Sequence, residues 1–366
     1  MADGRPLLEP GDRMPAFQVR SRVNPRFNFD TLGGRWLVLG LIGSAGAVPI
    51  APALHAMTSS DWFDDDRASL FLISVDPSDE TTGRLQDRIP GLRIFWDTDR
   101  AVSRQLGAAN EDGQGYRPHW LVIDPSLTVR KVVPLRPDSS CAAEVLEWLG
   151  QAPPVERYLG FAPPAPILIL PDIFEPAFCD HLIGLYKANG AELSGVMRDQ
   201  GGQTVGIQDA GFKVRRDYFV EDEALKTALQ ARILRKVVPQ IERVHFFRCT
   251  RMERYLVGGY PAEEGGHFSP HRDNTTLGTA HRRFAVSINL NDDFEGGEVS
   301  FPEYGPKSYK APKGTAIIFS CSLLHAVGQV TKGTRYAFLP FLYDDAAARI
   351  REANAAKVPN AANYRA

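Results

Sequence analysis

The stretch GGHFSPHRDN, residues 265–274, carries His271 and Asp273 two positions apart. Residues i and i+2 of a β-strand point to the same side, so this spacing at a strand end aims an imidazole and a carboxylate at one point. A second stretch, SCSLLHAVGQVTKGTRYAFL at 320–339, brings another imidazole, His325. The runs between the two stretches predict short strands separated by turns; they are FAVSINLN (284–291), GGEVSFPEYG (296–305) and KAPKGTAIIFS (310–320).

Two imidazoles and one carboxylate form the ligand set of non-haem Fe(II) oxygenases, which leaves coordination positions open. Each histidine alone equally fits a surface or hydrogen-bonded core residue. Arg335 supports the interpretation as a metal and ligand site, because this charged residue lies within the apolar run RYAFLPFL. A buried guanidinium is costly without a partner, so this residue predicts a bound anion.

Further motifs in the same order carry a family resemblance. His271-Arg-Asp273, NLNDDFEGGEVSFPE (289–303), the Lys313-Gly314 turn, His325 and Arg335 resemble the 2-oxoglutarate/Fe(II) dioxygenases of the prolyl 4-hydroxylase type. The resemblance covers roughly residues 165–345 and implies a double-stranded β-helix, a jelly-roll barrel with flanking helices. It implies Fe(II) held by His271, Asp273 and His325, with Arg335 holding 2-oxoglutarate. Dioxygen would be the oxidant and ascorbate a candidate reductant.

The implied reaction is hydroxylation of an unactivated C–H bond with decarboxylation of 2-oxoglutarate to succinate. The resemblance favours a peptidyl side chain, proline first. A free amino acid or a natural-product small molecule remains an alternative substrate, because fold and motif do not determine substrate. An alternative of another class is a metal-binding sensory or scaffold protein with a redoxin docking domain.

Other residues are candidates for supporting roles. Alternation along FAVSINLN places Ser287 and Asn289 on one strand face, where Asn289 could contact the cosubstrate. The resemblance implies a tyrosine near the cosubstrate, and Tyr260 is preferred over Tyr255. The segment 191–217 is polar and Gly-rich and is predicted to be a lid or binding loop. The candidate substrate contacts are Arg215, Arg216, Asp217 and His267, whereas His281 is predicted at the surface.

Residues 1–150 predict a second, α/β domain. Apolar runs such as WLVLGLI and SLFLISVD alternate with helical stretches, including PALHAMTSSDWF and TTGRLQDRI. GDRMPAFQV, WLVLGLIGSAGAVP and FWDTDRAVSRQLGA resemble the thioredoxin-fold peroxiredoxins. Val48 stands where their peroxidatic cysteine is expected, so we expect a scaffold without peroxidase activity, and a candidate homodimerisation module. Pro118 stands where this fold often has a cis proline.

A Pro-rich linker is predicted at 151–165, the dioxygenase domain at 166–345 and a C-terminal tail at 346–366. The formal net charge of −2 makes nucleic acid or an anionic membrane an unexpected partner. The chain has four widely spaced cysteines and no C-x-x-C pair, which is typical of a reducing compartment. The uncharged run 36–57 contains several glycines and prolines and predicts a strand, a loop and a helix start. The expected location is the cytoplasm.

Overall fold

The structure, a computed structural model, describes residues 7–110 and 115–358. The chain divides into two compact units. The first unit comprises Met1–Pro164 with Pro302–Pro306, and the second comprises Ala165–Phe301 with Lys307–Ala366.

The first unit is built on a seven-stranded sheet with strand order β2-β1-β5-β4-β3-β6-β7. Its strands are β1 (Gln18–Ser21), β2 (Phe27–Asn28), β3 (Trp36–Gly43), β4 (Ala68–Ser74), β5 (Leu92–Trp96), β6 (His119–Ile123) and β7 (Val129–Pro134). Strands β3, β4 and β5 pair in parallel, whereas β6 pairs antiparallel with β3 and β7. The sheet is therefore mixed.

Both faces of this sheet are covered, which explains the continuous apolar runs in the sequence. All eight residues of β3 are buried. Trp36 and Val38 pack into one hydrophobic cluster, whereas Leu37 and Leu39 pack into another on the opposite face. A strand covered on both faces needs no polar alternation, so the apolar run is the expected pattern.

The helices of the first unit are α1 (Ala51–Thr58), α2 (Pro77–Thr81), α3 (Ala101–Gln105) and α4 (Ser140–Gln151). The run 36–57 forms a strand, a 3-10 turn and the start of a helix, as predicted. The helix predicted over TTGRLQDRI is wrong: α2 ends at Thr81, and Gly83 at φ +69° belongs to a turn. Pro118 was also the wrong choice for a cis bond, which lies instead at Ile89-Pro90 among the described residues.

Two main antiparallel sheets form the second unit. The larger has nine strands, in the order β14-β25-β17-β24-β15-β13-β9, with β21 pairing β17 and β8. The smaller has five strands, in the order β12-β16-β22-β19-β20, and the pairs β10-β11 and β18-β23 stand apart. The strands are β8 (Leu168–Leu170), β9 (Glu192–Leu193), β10 (Val196–Gln200), β11 (Gln203–Ile207), β12 (Lys213–Val214), β13 (Arg216–Phe219), β14 (Arg251–Glu253), β15 (Leu256–Pro261), β16 (His267–His271), β17 (Phe284–Asn289), β18 (Glu295–Gly296), β19 (Val299–Ser300), β20 (Ser308–Tyr309), β21 (Ala316–Ser320), β22 (His325–Val327), β23 (Val330–Lys332), β24 (Thr334–Phe338) and β25 (Phe341–Tyr343).

Helices cover one face of the larger sheet. They are α5 (Pro176–Asn189), α6 (Glu223–Lys236) and α7 (Val238–His245), and α8 (Asp345–Asn354) follows the last strand. The core joins Val286, Ile288 and Phe338 of the sheet to Leu182 of α5 and Leu229 of α6. Alternation then places Ser287, Asn289 and Arg335 on the other face of the sheet.

The helical region that precedes β14 is two helices, α6 and α7, rather than one. Pro239 lies in the first turn of α7, where its missing N–H is tolerated, and it marks the break after Val237. The segment 191–217 is likewise more ordered than a predicted loop, because it contains the hairpin β10-β11 and strands that join both main sheets. None of the described helices is long and apolar enough to cross a membrane.

Candidate metal centre and anion site

Two neighbouring strands of the five-stranded sheet bring the histidines together. His271, the last residue of β16, lies directly opposite His325, the first residue of β22, in the antiparallel register. A register irregularity between Phe268 and His271 bends β16 just before the site. Asp273 follows two residues after His271, and its backbone N–H bonds to the carbonyl of Cys321 at 2.9 Å. The local fold thus holds all three side chains in one place.

The three side chains converge on a point that a metal ion could occupy. His271 Nε2 lies 3.6 Å from Asp273 Oδ1, and His325 Nε2 lies 3.4 Å from Asp273 Oδ2. One ligand atom from each residue lies within 4.8 Å of the others. A cation at their centre would be within bonding reach of all three groups.

Hydrogen bonds orient both imidazoles for this role. Nδ1 of His271 lies 2.8 Å from the carbonyl of Ser269, and Nδ1 of His325 lies 3.0 Å from the carbonyl of Leu323. A carbonyl can only accept, so each Nδ1 carries the proton and each Nε2 offers a lone pair. The donor set therefore suits a divalent metal that accepts nitrogen and oxygen ligands.

Electrostatics in the site favour the forms that bind metal. Burial, followed by the nearby His271, lowers the pKa of His325 to about 4, so this imidazole is neutral at pH 7. Burial acts to raise the pKa of Asp273, but the charge of His325 and the hydrogen bond and charge of His271 lower it below its ordinary value. A neutral imidazole beside an ionised carboxylate is the state that a cation requires.

Arg335 is the second element of the site. It is 1% exposed, its Nε donates to Asn289 Oδ1 at 3.0 Å and its Nη2 donates to Ser287 Oγ at 2.8 Å. Its Nη1 is buried and has no hydrogen-bond partner. Both partners are neutral, so the positive charge is not balanced by them. A buried donor left unpaired in this way is rare and fits an acceptor supplied by a ligand.

Tyr260 lies beside this guanidinium. It is 1% exposed and pairs with Arg335 across strands β15 and β24, and the Arg335 guanidinium lies 5.3 Å from the centre of its ring. Arg215 approaches the same ring, and its Nη1 lies 3.4 Å from the Tyr260 hydroxyl. Tyr255, the competing choice, packs into the helix-facing core instead. Asn289 contacts Arg335 directly and donates to the carbonyl of Ala311 at 2.7 Å.

The predicted substrate contacts differ in where the structure places them. Arg215 is buried and pairs with Asp217, with Nε 2.6 Å from Oδ1. Arg216 points to the other side of its strand and forms a part-exposed ion pair with Glu264 at 2.8 Å, so the structure does not bring it to the site. His267 is half-buried, with Nδ1 2.7 Å from the carbonyl of Gly265.

The predicted surface position of His281 is wrong. The residue is fully buried, and its Nε2 lies 2.9 Å from Glu253 Oε2. Arg282 donates to the other oxygen of that carboxylate at 2.8 Å. The charged neighbours in AHRRF suggest a surface turn, but the Glu253 carboxylate from β14 accepts hydrogen bonds from both side chains and so compensates their burial.

Sequence reasoning missed Lys213, which is buried in the same unit as Arg215 and Asp217. Lys213, Arg215 and Asp217 are spaced i, i+2 and i+4, and this spacing in an extended segment was the available signal. The high polarity of the surrounding stretch concealed it.

In the first unit, the loop expected to hold a peroxidatic thiol has none. Val48 begins a 3-10 turn ahead of α1 and is 82% exposed. Cys141, the thiol of this unit, is buried in α4. A peroxidatic cysteine must offer an accessible thiolate, which neither position supplies.

Comparison with known proteins agrees with this division. A protein-family model described as the 2OG-Fe(II) oxygenase superfamily matches residues 252–343. A second protein-family model, described as the AhpC/TSA family, matches residues 10–132. The chain joins an AhpC/TSA-like segment to a 2OG-Fe(II) oxygenase-like segment. The first unit, which we call the redoxin-like unit, is thus thioredoxin-like, and the second, the oxygenase-like unit, contains the residues that converge around Asp273.

The curated relatives include PKHD-type hydroxylases. A PKHD-type hydroxylase of Hyphomonas neptunium is 36% identical over 102 residues, which are 25% of this chain and 42% of the relative. Another, from Maricaulis maris, is 28% identical over 166 residues, 43% of this chain and 74% of the relative. The chain spans 42% of the length of the Hyphomonas relative and 50% of the length of a PKHD-type hydroxylase from Synechococcus, which is half or less of each.

Two of the similar solved structures are a prolyl hydroxylase and a peroxiredoxin-like protein. A prolyl hydroxylase from Trichoplax adhaerens, in complex with a hypoxia inducible factor peptide, is 15% identical with a TM-score of 0.40, covering 58% of this chain and 94% of that one. A peroxiredoxin-like protein from Aquifex aeolicus is 16% identical with a TM-score of 0.32, covering 40% of this chain and 88% of that one.

Proposed function

We propose that the chain is an Fe(II)- and 2-oxoglutarate-dependent hydroxylase, with its centre in the oxygenase-like unit. The observation that carries the proposal is the unpaired, buried Nη1 of Arg335 in the same unit as a ready-made group of two imidazoles and a carboxylate. Iron binding alone would explain the imidazoles and the carboxylate. The buried cation calls in addition for an anionic ligand, and 2-oxoglutarate carries two carboxylates, one for the metal and one for Arg335.

Each residue then has a defined task. His271 and His325 would offer Nε2 to the iron and Asp273 one oxygen, leaving positions for other ligands. Arg335 would donate Nη1 to the far carboxylate of 2-oxoglutarate, while Asn289 and Ser287 hold the guanidinium in place. When bound, iron with 2-oxoglutarate and dioxygen supplies the oxidising chemistry, which yields succinate and carbon dioxide.

Aromatic rings pack against both candidate histidine ligands. Phe319 and Phe301 lie beside His325, with ring centres 4.5 Å and 6.4 Å from it. Phe268 stacks on His271 at 3.5 Å between ring centres. Apolar rings around the ligands limit water access and strengthen the electrostatic interactions inside. We further propose that the two antiparallel sheets are the halves of a double-stranded β-helix around this site.

For the substrate, we propose a peptidyl side chain, with proline as the first candidate. Support comes from the resemblance of the motifs and from the PKHD-type hydroxylases among the relatives. A free amino acid or a small natural product is the competing substrate class. The redoxin-like unit would then serve docking or dimerisation, because Val48 replaces the expected nucleophile. Four buried free thiols suit a cytoplasmic protein.

The test is mass spectrometry of the full-length protein incubated with Fe(II), 2-oxoglutarate, ascorbate and cell extract. The expected result is succinate formation together with a 16-Da gain on a peptide or metabolite. The Asp273→Ala variant is the matched control and should form neither product. A sensory or scaffold protein would bind metal and form no succinate, and that result would refute the proposal.

A further inference from the structure

Lys213 is a buried lysine close to the candidate metal ligands. The residue is 5% exposed and lies opposite Phe268 in the register of β12 and β16. Its Nζ lies 4.9 Å from the centre of the Phe268 ring, and that ring stacks on His271. The amino group is therefore separated from a predicted iron ligand by one aromatic side chain.

The hydrogen bonds of the Lys213 amino group go to neutral groups. Nζ donates to Ser194 Oγ at 2.6 Å and to the carbonyl of Gly195 at 2.9 Å. An ammonium has three N–H groups, so these two bonds leave one donor for another acceptor. Within residues 7–110 and 115–358, no ion pair within 4.0 Å joins Lys213 to a carboxylate.

The carboxylate of Asp217, in the same unit, already pairs with other cations. Asp217 accepts two bonds from Arg215, at 2.6 and 2.7 Å, and lies 3.3 Å from Arg254 Nη2. It also accepts from the Ser194 hydroxyl at 2.6 Å. Two arginines thus share the Asp217 carboxylate, and Lys213 is linked to it only through the Ser194 hydroxyl. Burial, followed by Arg215, lowers the pKa of Lys213 well below its ordinary value, so its charged form is disfavoured in the ligand-free protein and a bound carboxylate would restore it.

Such an excess of buried positive charge is costly unless an anion joins it. Under the proposed function, 2-oxoglutarate is accounted for by Arg335 and the metal, so it does not neutralise Lys213. The substrate is the remaining molecule that must come close to the iron.

We propose that Lys213 binds a carboxylate of the substrate, so that the oxidised C–H bond belongs to a molecule or peptide residue with a carboxylate nearby. This inference rests on the proposed function and specifies the substrate class for the same site. The carboxylate can come from a free amino acid, from the C-terminus of a peptide or from an acidic side chain. Lys213 thereby becomes a specificity-determining residue.

The experiment measures binding to the full-length protein loaded with Zn(II) and 2-oxoglutarate, in which no turnover occurs. Ligand-observed NMR compares matched probes that differ only in charge. The first set is the proteinogenic L-amino acids against their carboxamides. The second is Gly-Pro-Pro and Gly-Pro-Lys tripeptides with a free against an amidated C-terminus. The third is blocked peptides containing Glu against the same peptides containing Gln.

In at least one of the three sets, the probe with the free carboxylate is expected to bind at least about tenfold more tightly than its matched amide. Lys213→Met should abolish that preference while leaving the affinity for 2-oxoglutarate unchanged. Lys187→Met is the control, because Lys187 lies over the Tyr336 ring on the helix-covered face and should change neither quantity. The set that shows the preference identifies the source of the carboxylate.

Two results would overturn the inference. In one, no carboxylate probe binds more tightly than its amide to the wild-type protein, a result that does not depend on whether the variant folds. In the other, the preference survives in Lys213→Met. Succinate formation by the Fe(II)-loaded wild type separates the two proposals: if succinate forms without a carboxylate preference, only the role of Lys213 fails, whereas absence of succinate refutes the hydroxylase itself.

Discussion

Replacing Arg335 by Met tests the anion site most sharply. The substitution keeps an unbranched side chain in a position that is 1% exposed, but it removes the donor Nη1 that has no partner. A hydrogen bond to a charged group contributes about 1.5–3 kcal/mol. At about 1.4 kcal/mol per tenfold, the dissociation constant of 2-oxoglutarate should rise by roughly 10- to 100-fold. Arg335→Lys should restore part of the affinity, because it restores the charge but not the planar donor geometry.

Thermal unfolding with Zn(II) and increasing 2-oxoglutarate measures this change without turnover. A ligand at about 100 times its dissociation constant stabilises the native state by about 2.7 kcal/mol. At the same concentration, a variant with tenfold weaker binding should gain only about 1.4 kcal/mol. Zinc binding by equilibrium dialysis serves as the folding control, because the candidate ligands His271 and His325 lie on the other main sheet and should be unaffected. If 2-oxoglutarate stabilises Arg335→Met as much as the wild type, the assignment of the anion site is refuted.

Four further predictions follow from the described contacts. Asp273→Gly should lower the affinity for Fe(II) at least about tenfold in equilibrium dialysis, because it removes the carboxylate that lies between His271 and His325. Unchanged iron binding would contradict the proposed metal site. Val48→Cys should add one thiol that reacts with Ellman's reagent in the native protein, since Val48 is 82% exposed, whereas the natural cysteines are buried and should react only after unfolding. Peroxide consumption should be equal in the wild type and Cys141→Ser, and a loss in the variant would reveal a peroxidase. Gly314→Ala should lower the free energy of unfolding by more than about 1 kcal/mol, because Gly314 has φ +77° and an added Cβ would lie 2.3 Å from the Phe174 carbonyl oxygen. The control is Gly184→Ala on α5, where an added Cβ would meet no other atom within 4 Å. This substitution should raise the free energy of unfolding by up to about 1 kcal/mol.

Local patterns were enough to predict the main strands and the groups that converge around Asp273. His-x-Asp at a strand end specifies its own geometry, because side-chain direction alternates along a strand. The apolar run at β3 was equally informative, since a strand covered on both faces needs no polar residue. Arg335 was recognisable because a charged residue in an apolar strand requires a partner.

Features that depend on tertiary partners were not predictable in the same way. His281 and Arg282 looked like surface residues until the structure placed Glu253 beside them. Lys213 was hidden in a polar stretch, because its burial depends on pairing with β16, which lies far away in the chain. No local pattern reports which distant strand will cover a lysine, so buried charge networks are the part of the site that sequence reasoning missed.

The most direct test of the account is the stoichiometry of 2-oxoglutarate consumption and succinate formation by the purified full-length protein with Fe(II) and dioxygen. The account predicts one succinate for each 2-oxoglutarate consumed, and loss of both signals in His325→Ala. If the wild type forms no succinate, or if His325→Ala forms it at the same rate, the residues around Asp273 are not the catalytic centre.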